Sequence, residues 1–226
     1  MASQHKVRIW DLPTRLFHWS LFVSVSGLII TGNVGGSLMT WHFRLGYCVM
    51  SLLLFRIVWG LIGGRWSRFA SFIYAPRTVF AYLKGKAKPE HSAGHNPIGA
   101  GSVFAMFGFL ALQVGTGLIS DDEISNQGPL TRFVSGARVS LATWWHKDVG
   151  KWVIAALIAL HVAAILFYLY RKNENLIKPM LVGDKTLHVP VAPSRDDAVS
   201  RVVAFLVFAV CAGFVFWVQS LDAGAV

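Results

Sequence analysis

The sequence predicts an all-α integral membrane protein: a four-helix transmembrane bundle followed by a fifth, C-terminal transmembrane helix. Of its 226 residues, 54% are hydrophobic and 14% charged, against roughly 25% charged in a soluble domain. Mean hydropathy is +0.53. Five stretches reach the ~20 mainly apolar residues that cross a bilayer at about 1.5 Å rise per residue. They run over 17–36, 43–63, 99–119, 144–170 and 201–221. The 13% aromatic content excludes disorder, and the low charge excludes a coiled coil. Two cysteines exclude a disulfide scaffold and a thiolate metal cluster.

The first span is expected to stay as a membrane helix, since no small-residue cleavage site follows it. Orientation follows from the Lys and Arg residues of the connections. One side carries Lys6, Arg8 and Arg15, then Arg65, Arg68, Arg77, Lys84, Lys86 and Lys88, then Arg171, Lys172, Lys178, Lys185 and Arg195. The other side has only Arg132 and Arg138. Fourteen against two puts the N-terminus in the cytoplasm and the C-terminus outside. The net charge of +10 is therefore mostly topological. Its residues lie between apolar runs and not along one polar face, so no nucleic-acid partner is expected. Pro76 predicts a short interfacial helix over 76–84, with Val79, Phe80 and Leu83 toward lipid. The loop holding Asp121, Asp122, Glu123 and Gly128-Pro129 is long enough for a small external cap. The fifth span has no ionisable residue between Arg201 and Asp222, which suits an anchor or a docking surface, for a second copy of the chain among other partners.

Ligating side chains inside membrane helices are functional candidates by default. Of eight histidines, His5, His91, His95 and His188 fall in cytoplasmic segments, and His18, His42, His146 and His161 fall in or at the ends of the spans. By direction of travel, His18 and His161 lie toward the inner face and His42 and His146 toward the outer. His146 and His161 are fifteen residues apart, about 22 Å along a helix and within roughly 60° of one face. Two imidazoles from facing helices are what a six-coordinate b-type haem needs, so the four predict two haems with iron held by His18/His161 and His42/His146. The contexts Trp41-His42-x-x-x-Gly46 and Trp145-His146-x-x-x-Gly150 match. A Gly at i+4 leaves room for a porphyrin flat against the helix. Glycines recur at Gly27, Gly32, Gly101, Gly108 and Gly115. Arg56 lies fourteen residues past His42, about 21 Å deeper, and is a candidate partner for inner-haem propionates. Arg44, Lys147 and Lys151 stand in the same relation to the outer haem, or else snorkel to headgroups.

The run Val7 to Trp19 (VRIWDLPTRLFHW) resembles the N-terminus of the bacterial cytochrome b561 family, which includes the membrane b-type cytochromes of nickel hydrogenases. Leu28 to Gly32 (LIITG), Arg56-x-x-Trp59-Gly60, Gly94-His95-Asn96-Pro97 and the His146…His161 pair extend the resemblance over about 7–183. The resemblance implies residues 1–183 as a dihaem cytochrome b domain in the bacterial inner membrane, leaving 184–226 as a linker and an additional span. It also implies electron exchange with a quinone on the cytoplasmic side and with a periplasmic partner, such as a c-type cytochrome or an oxidoreductase subunit. His95, Asn96, Arg56 and Lys178 would gather hydrogen-bond donors for that quinone. The fifth span lies outside the resemblance.

The function expected is electron transfer across the membrane between quinone and that partner. The alternative is a stand-alone superoxide:quinone oxidoreductase, with Arg44, Lys147 and Lys151 steering the anion. A metal-ion permease would need acids buried beside the histidines, and the first four spans offer only Asp148 near the outer surface. No HExxH is present for a zinc protease.

Overall fold

A computed structural model describes residues 5–86, 91 and 93–221; Lys88 and Asp222 lie outside them. The chain is mostly helical. In order come β1 (His5–Arg8), α1 (Leu12–Val34), α2 (Met39–Ile62), α3 (Pro76–Leu83), α4 (Pro97–Gly117), α5 (Gly136–Trp144), a π-helical turn (Trp145–Gly150), α6 (Lys151–Arg171), α7 (Ile177–Val182), β2 (Asp184–Leu187) and α8 (Ala198–Gln219). Five helical stretches are long and apolar enough to cross a membrane: Leu12–Val34, Gly36–Ile62, Pro97–Gly117, Gly136–Arg171 and Ala198–Gln219. Phe22, Ile30, Leu160, Phe205 and Phe216 are among many large apolar side chains left exposed, as lipid-facing positions require.

The helix starts have local causes. Asp11 caps α1, its Oδ1 accepting the Thr14 N–H at 2.8 Å. This begins α1 five residues before the apolar run expected at 17, because the first turn is polar (Thr14, Arg15). The fourth span likewise begins at Gly136, eight residues early, on the more polar α5. Gly35 and Gly36, at φ +67° and +56°, make the turn into α2, a conformation that suits glycine. Pro76 opens α3 after an extended Ala75, and the helix ends at Leu83, one residue short of expectation. Asn96 opens α4, its Oδ1 accepting the Gly99 N–H at 2.8 Å.

The fold is not wholly α. β1 and β2 pair antiparallel, His5 opposite Leu187 and Arg8 opposite Asp184. Four-residue charged strands nearly 180 positions apart carry no periodicity that a sequence reading could find.

Contacts divide the chain into two compact units, one of Met1–His18, Arg56–Ala105 and Ala159–Val207, the other of Trp19–Phe55, Met106–Ile158 and Phe208–Val226. In the first, Ile9, Trp10, Ala93 and Leu187 form a core with Val7, Trp66, Met180 and Val191 packed on it. Beside it the wholly buried Asp11 carboxylate accepts from Trp59 Nε1, the Gly64 N–H and Ser67 Oγ. A buried carboxylate is tolerable when so satisfied. The segment after β2 is stitched into the same unit. Ser194 donates N–H to the Arg8 carbonyl at 2.8 Å and Oγ–H to the Ile9 carbonyl at 2.7 Å. Trp66 Nε1 donates to the Ala192 carbonyl at 2.9 Å. Asp196 accepts the Leu12 N–H and meets Arg8, Arg15 and Arg201. In the second unit, Val25, Val49, Leu53 and Ile154 form the core.

Candidate haem-ligating sites

In the first unit, α1 carries His18 and α6 carries His161, their ring centroids 6.4 Å apart with planes at 51°. In the second unit, α2 carries His42 and the π-helical turn carries His146, their centroids 6.1 Å apart with planes at 87°. Two imidazoles bonded through one metal ion at about 2 Å each place their centroids about 6 Å apart. Both pairs fit that separation. Among the described residues no three or more His, Cys, Asp or Glu gather as a metal cluster. Histidines met in twos suit an iron whose remaining ligands come from a macrocycle.

The surroundings of His42 and His146 repeat. Thr31 Oγ1 stands 3.2 Å from His42 Nδ1, and the Leu28 carbonyl also bonds this imidazole. Thr31 donates its own proton to the Gly27 carbonyl at 2.8 Å, so its oxygen accepts from Nδ1–H. A methyl on Gly32 would come within 3.0 Å of the His42 ring. For His146, Nδ1 donates to the Gln113 carbonyl at 2.9 Å, with Thr116 Oγ1 at 3.5 Å. A methyl on Gly117 would come within 2.8 Å of that ring. In both of these rings Nδ1 holds the proton, and the Nε2 lone pair is left for a metal.

In the same unit as His18 and His161, Arg56 is 4% exposed, with its guanidinium over the Phe69 ring at 4.6 Å. Its Nη1 is sealed from water and has no hydrogen-bond partner among the described residues. The side chain does not snorkel, and a buried guanidinium in this state fits a carboxylate such as a propionate. His95 lies between Trp10 and Phe72, at 4.8 and 4.5 Å between rings. Burial first, then the charge of Arg56, pushes the His95 imidazole well below its ordinary range, so it is neutral at neutral pH. Asn96 is already engaged: it caps α4 and donates Nδ2–H to Tyr168 Oη at 2.8 Å. Lys178 is exposed on α7.

Gly46 and Gly150 differ. A methyl on Gly46 would meet nothing within 4 Å, and Gly101, Gly108 and Gly115 are equally open. A methyl on Gly150 would strike the Gln113 side chain and approach Trp145 Nε1 at 2.9 Å. The absent side chain there makes room for Gln113 instead of leaving an open face. The π-helical turn, whose backbone bonds span five residues, takes Gly150 out of the α-helical i+4 relation to His146. Arg44, Lys147 and Lys151 are exposed, Arg44 over Trp41 and Lys151 over Trp152.

Residues 9–183 match the family described as prokaryotic cytochrome b561. The chain belongs to that family. The cytochrome is therefore a multi-pass membrane protein that uses haem b in electron transport. It is 24% identical over 210 residues to the "Probable Ni/Fe-hydrogenase 1 B-type cytochrome subunit" of Escherichia coli (strain K12), covering 77% of this chain and 88% of that one. The "Probable Ni/Fe-hydrogenase B-type cytochrome subunit" of Rhodobacter capsulatus is 26% identical over 219 residues, covering 80% and 81%. That of Bradyrhizobium diazoefficiens is 25% identical over 215 residues, covering 79% and 85%. No solved structure gives a significant match.

Gln113, Thr116 and Gly117 escaped the sequence reading, as did the roles of Asp11 and Thr31. One signal was present: the dipeptide Thr-Gly occurs twice in the chain, at Thr31-Gly32 and Thr116-Gly117, as Trp-His does at Trp41-His42 and Trp145-His146.

Proposed function

We propose that this cytochrome holds two b haems, one between His18 and His161 and one between His42 and His146, and relays electrons across the cytoplasmic membrane. The observation that carries the reading is the spacing of the two imidazole pairs, 6.4 and 6.1 Å between ring centroids. When bound, each haem supplies a one-electron couple. The chain would supply the ligating imidazole nitrogens, the enclosure, and a buried cation at Arg56 to offset propionate charge. The excess of Lys and Arg in alternate connections supports a cytoplasmic N-terminus and His18/His161 end, with the C-terminus outside. Electron exchange with quinone belongs near Arg56 and His95, where Arg56 Nη1 and His95 Nδ1 are buried with no hydrogen-bond partner among the described residues.

The names of the relatives point to the kind of outer partner. A NiFe-hydrogenase-like oxidoreductase subunit would dock on the external loop between α4 and α5. There a cleft of about 650 Å³ is lined by Asp121, Glu123, Arg132, Trp144 and Asp148 among others.

The test is a proteoliposome with a reduced quinone in the bilayer and a membrane-impermeant one-electron acceptor on the outer side. Acceptor reduction should require both pairs, falling at least tenfold in His18→Ala and in His42→Ala. Unchanged rates in either variant would refute a two-haem relay.

A further inference from the structure

The surroundings of His42 and His146 carry one step more, resting on the bis-histidine reading above. The same five-residue frame faces each ring: a carbonyl at its first residue, a threonine at its fourth and a glycine at its fifth. In α1 the frame is Leu28-Ile29-Ile30-Thr31-Gly32, and in α4 it is Gln113-Val114-Gly115-Thr116-Gly117. Its parts act together. A helical side chain lies over the turn N-terminal to it, so a side chain at the fifth position would cover the carbonyl of the first. Glycine there uncovers the carbonyl and lets the imidazole approach, as the 3.0 and 2.8 Å clearances to a methyl show. The threonine spends its proton on its own helix, Thr31 on the Gly27 carbonyl and Thr116 on the Leu112 carbonyl at 2.9 Å. Its oxygen is then obliged to accept.

We propose that these two frames are a duplicated positioning device for the haem of His42 and His146. Each fixes the Nδ1–H tautomer and ring angle of one ligand, and by drawing on that proton makes the imidazole a stronger donor to iron. A more electron-rich axial ligand favours the ferric state, so the device holds this haem at a lower potential than it would otherwise have. Thr31 and Thr116 are positioning residues, acting through the histidines. Their weights differ. His146 keeps the Gln113 carbonyl at 2.9 Å when Thr116 is changed, its hydroxyl being 3.5 Å away. For His42 the threonine oxygen at 3.2 Å is a principal partner.

The experiment is a potentiometric titration, with low-spin ferric EPR, of purified holoprotein carrying Thr31→Val, Thr31→Ser or Thr116→Val. The haem count per chain is measured on each, and His42→Ala identifies which couple belongs to this pair. Thr31→Val should keep the haem count, move the His42/His146 couple to higher potential, alter its EPR signal, and leave the His18/His161 couple in place. Thr31→Ser should restore the wild-type couple, and Thr116→Val should shift it less than Thr31→Val. Two haems with no shift in Thr31→Val, or an equal shift of both couples, would overturn the inference while leaving the ligand assignment intact. A wild-type haem count that His42→Ala leaves unchanged would instead overturn the assignment beneath it.

Discussion

Gly46 and Gly117 show how much one hydrogen-for-methyl exchange can tell. A methyl at Gly117 strikes the His146 ring, so its effect is dictated by the protein alone. A methyl at Gly46 meets no protein atom within 4 Å, so the bare chain has no reason to resist it. On the reading that a porphyrin lies flat against α2 after His42, Gly46→Ala should lose at least half of the haem held by that pair. Helix content and thermal stability should stay within about 1 kcal/mol of wild type, since alanine is the better helix former. Haem per chain and circular dichroism on the same preparation check this. Full haem occupancy in Gly46→Ala would place the porphyrin elsewhere. At this scale the sequence exposes the ligands and hides their supports. Histidines among apolar residues stand out, whereas Thr31, Thr116 and Gln113 look like ordinary polar residues near span ends. Arg56 was legible as an intramembrane charge. That it is buried over Phe69 was not, because the choice between burial and snorkelling depends on where Phe69 sits.

The spans were read from apolar length, and their cores fell where expected. Their ends did not, because capping and first-turn residues such as Asp11, Thr14 and Arg138 are polar and drop out of a hydropathy run. The amphipathic α3 was legible from Pro76 and the spacing of its apolar residues, and Phe80 and Leu83 are exposed as a lipid-facing side requires. The strand pair was not, since pairing between distant four-residue segments leaves no local pattern. The entry to α8 is the element with most to lose. Asp196 accepts from Leu12 N–H at 3.1 Å and meets Arg8, Arg15 and Arg201, with its own side chain 6% exposed. Asp196→Ala leaves three cations and a backbone donor with fewer partners, which should cost about 1–3 kcal/mol. Limited proteolysis should then cut faster between β2 and α8, and the melting temperature in detergent should fall. Wild-type cleavage kinetics would show that the segment is held by its contacts to Arg8, Ile9 and Trp66 alone.

At the scale of the whole chain, two features of the sequence settle the class, and two pairs of histidines are the proposed carriers of the function. Low charge and five apolar runs make a membrane protein, and the four histidines sort into pairs within it. Each pair lies within one of the two compact units. Family membership over residues 9–183 supplies haem b. The number of haems and their ligands rest on the histidine geometry. The most direct test is a pyridine haemochrome count per polypeptide on the purified cytochrome and on its His18→Ala and His42→Ala variants, with reduced-minus-oxidised spectra. The account predicts two b haems in the wild type and one in each variant, the two variants losing spectrally or potentiometrically distinct species. A single haem in the wild type, or two haems indifferent to both substitutions, would contradict it.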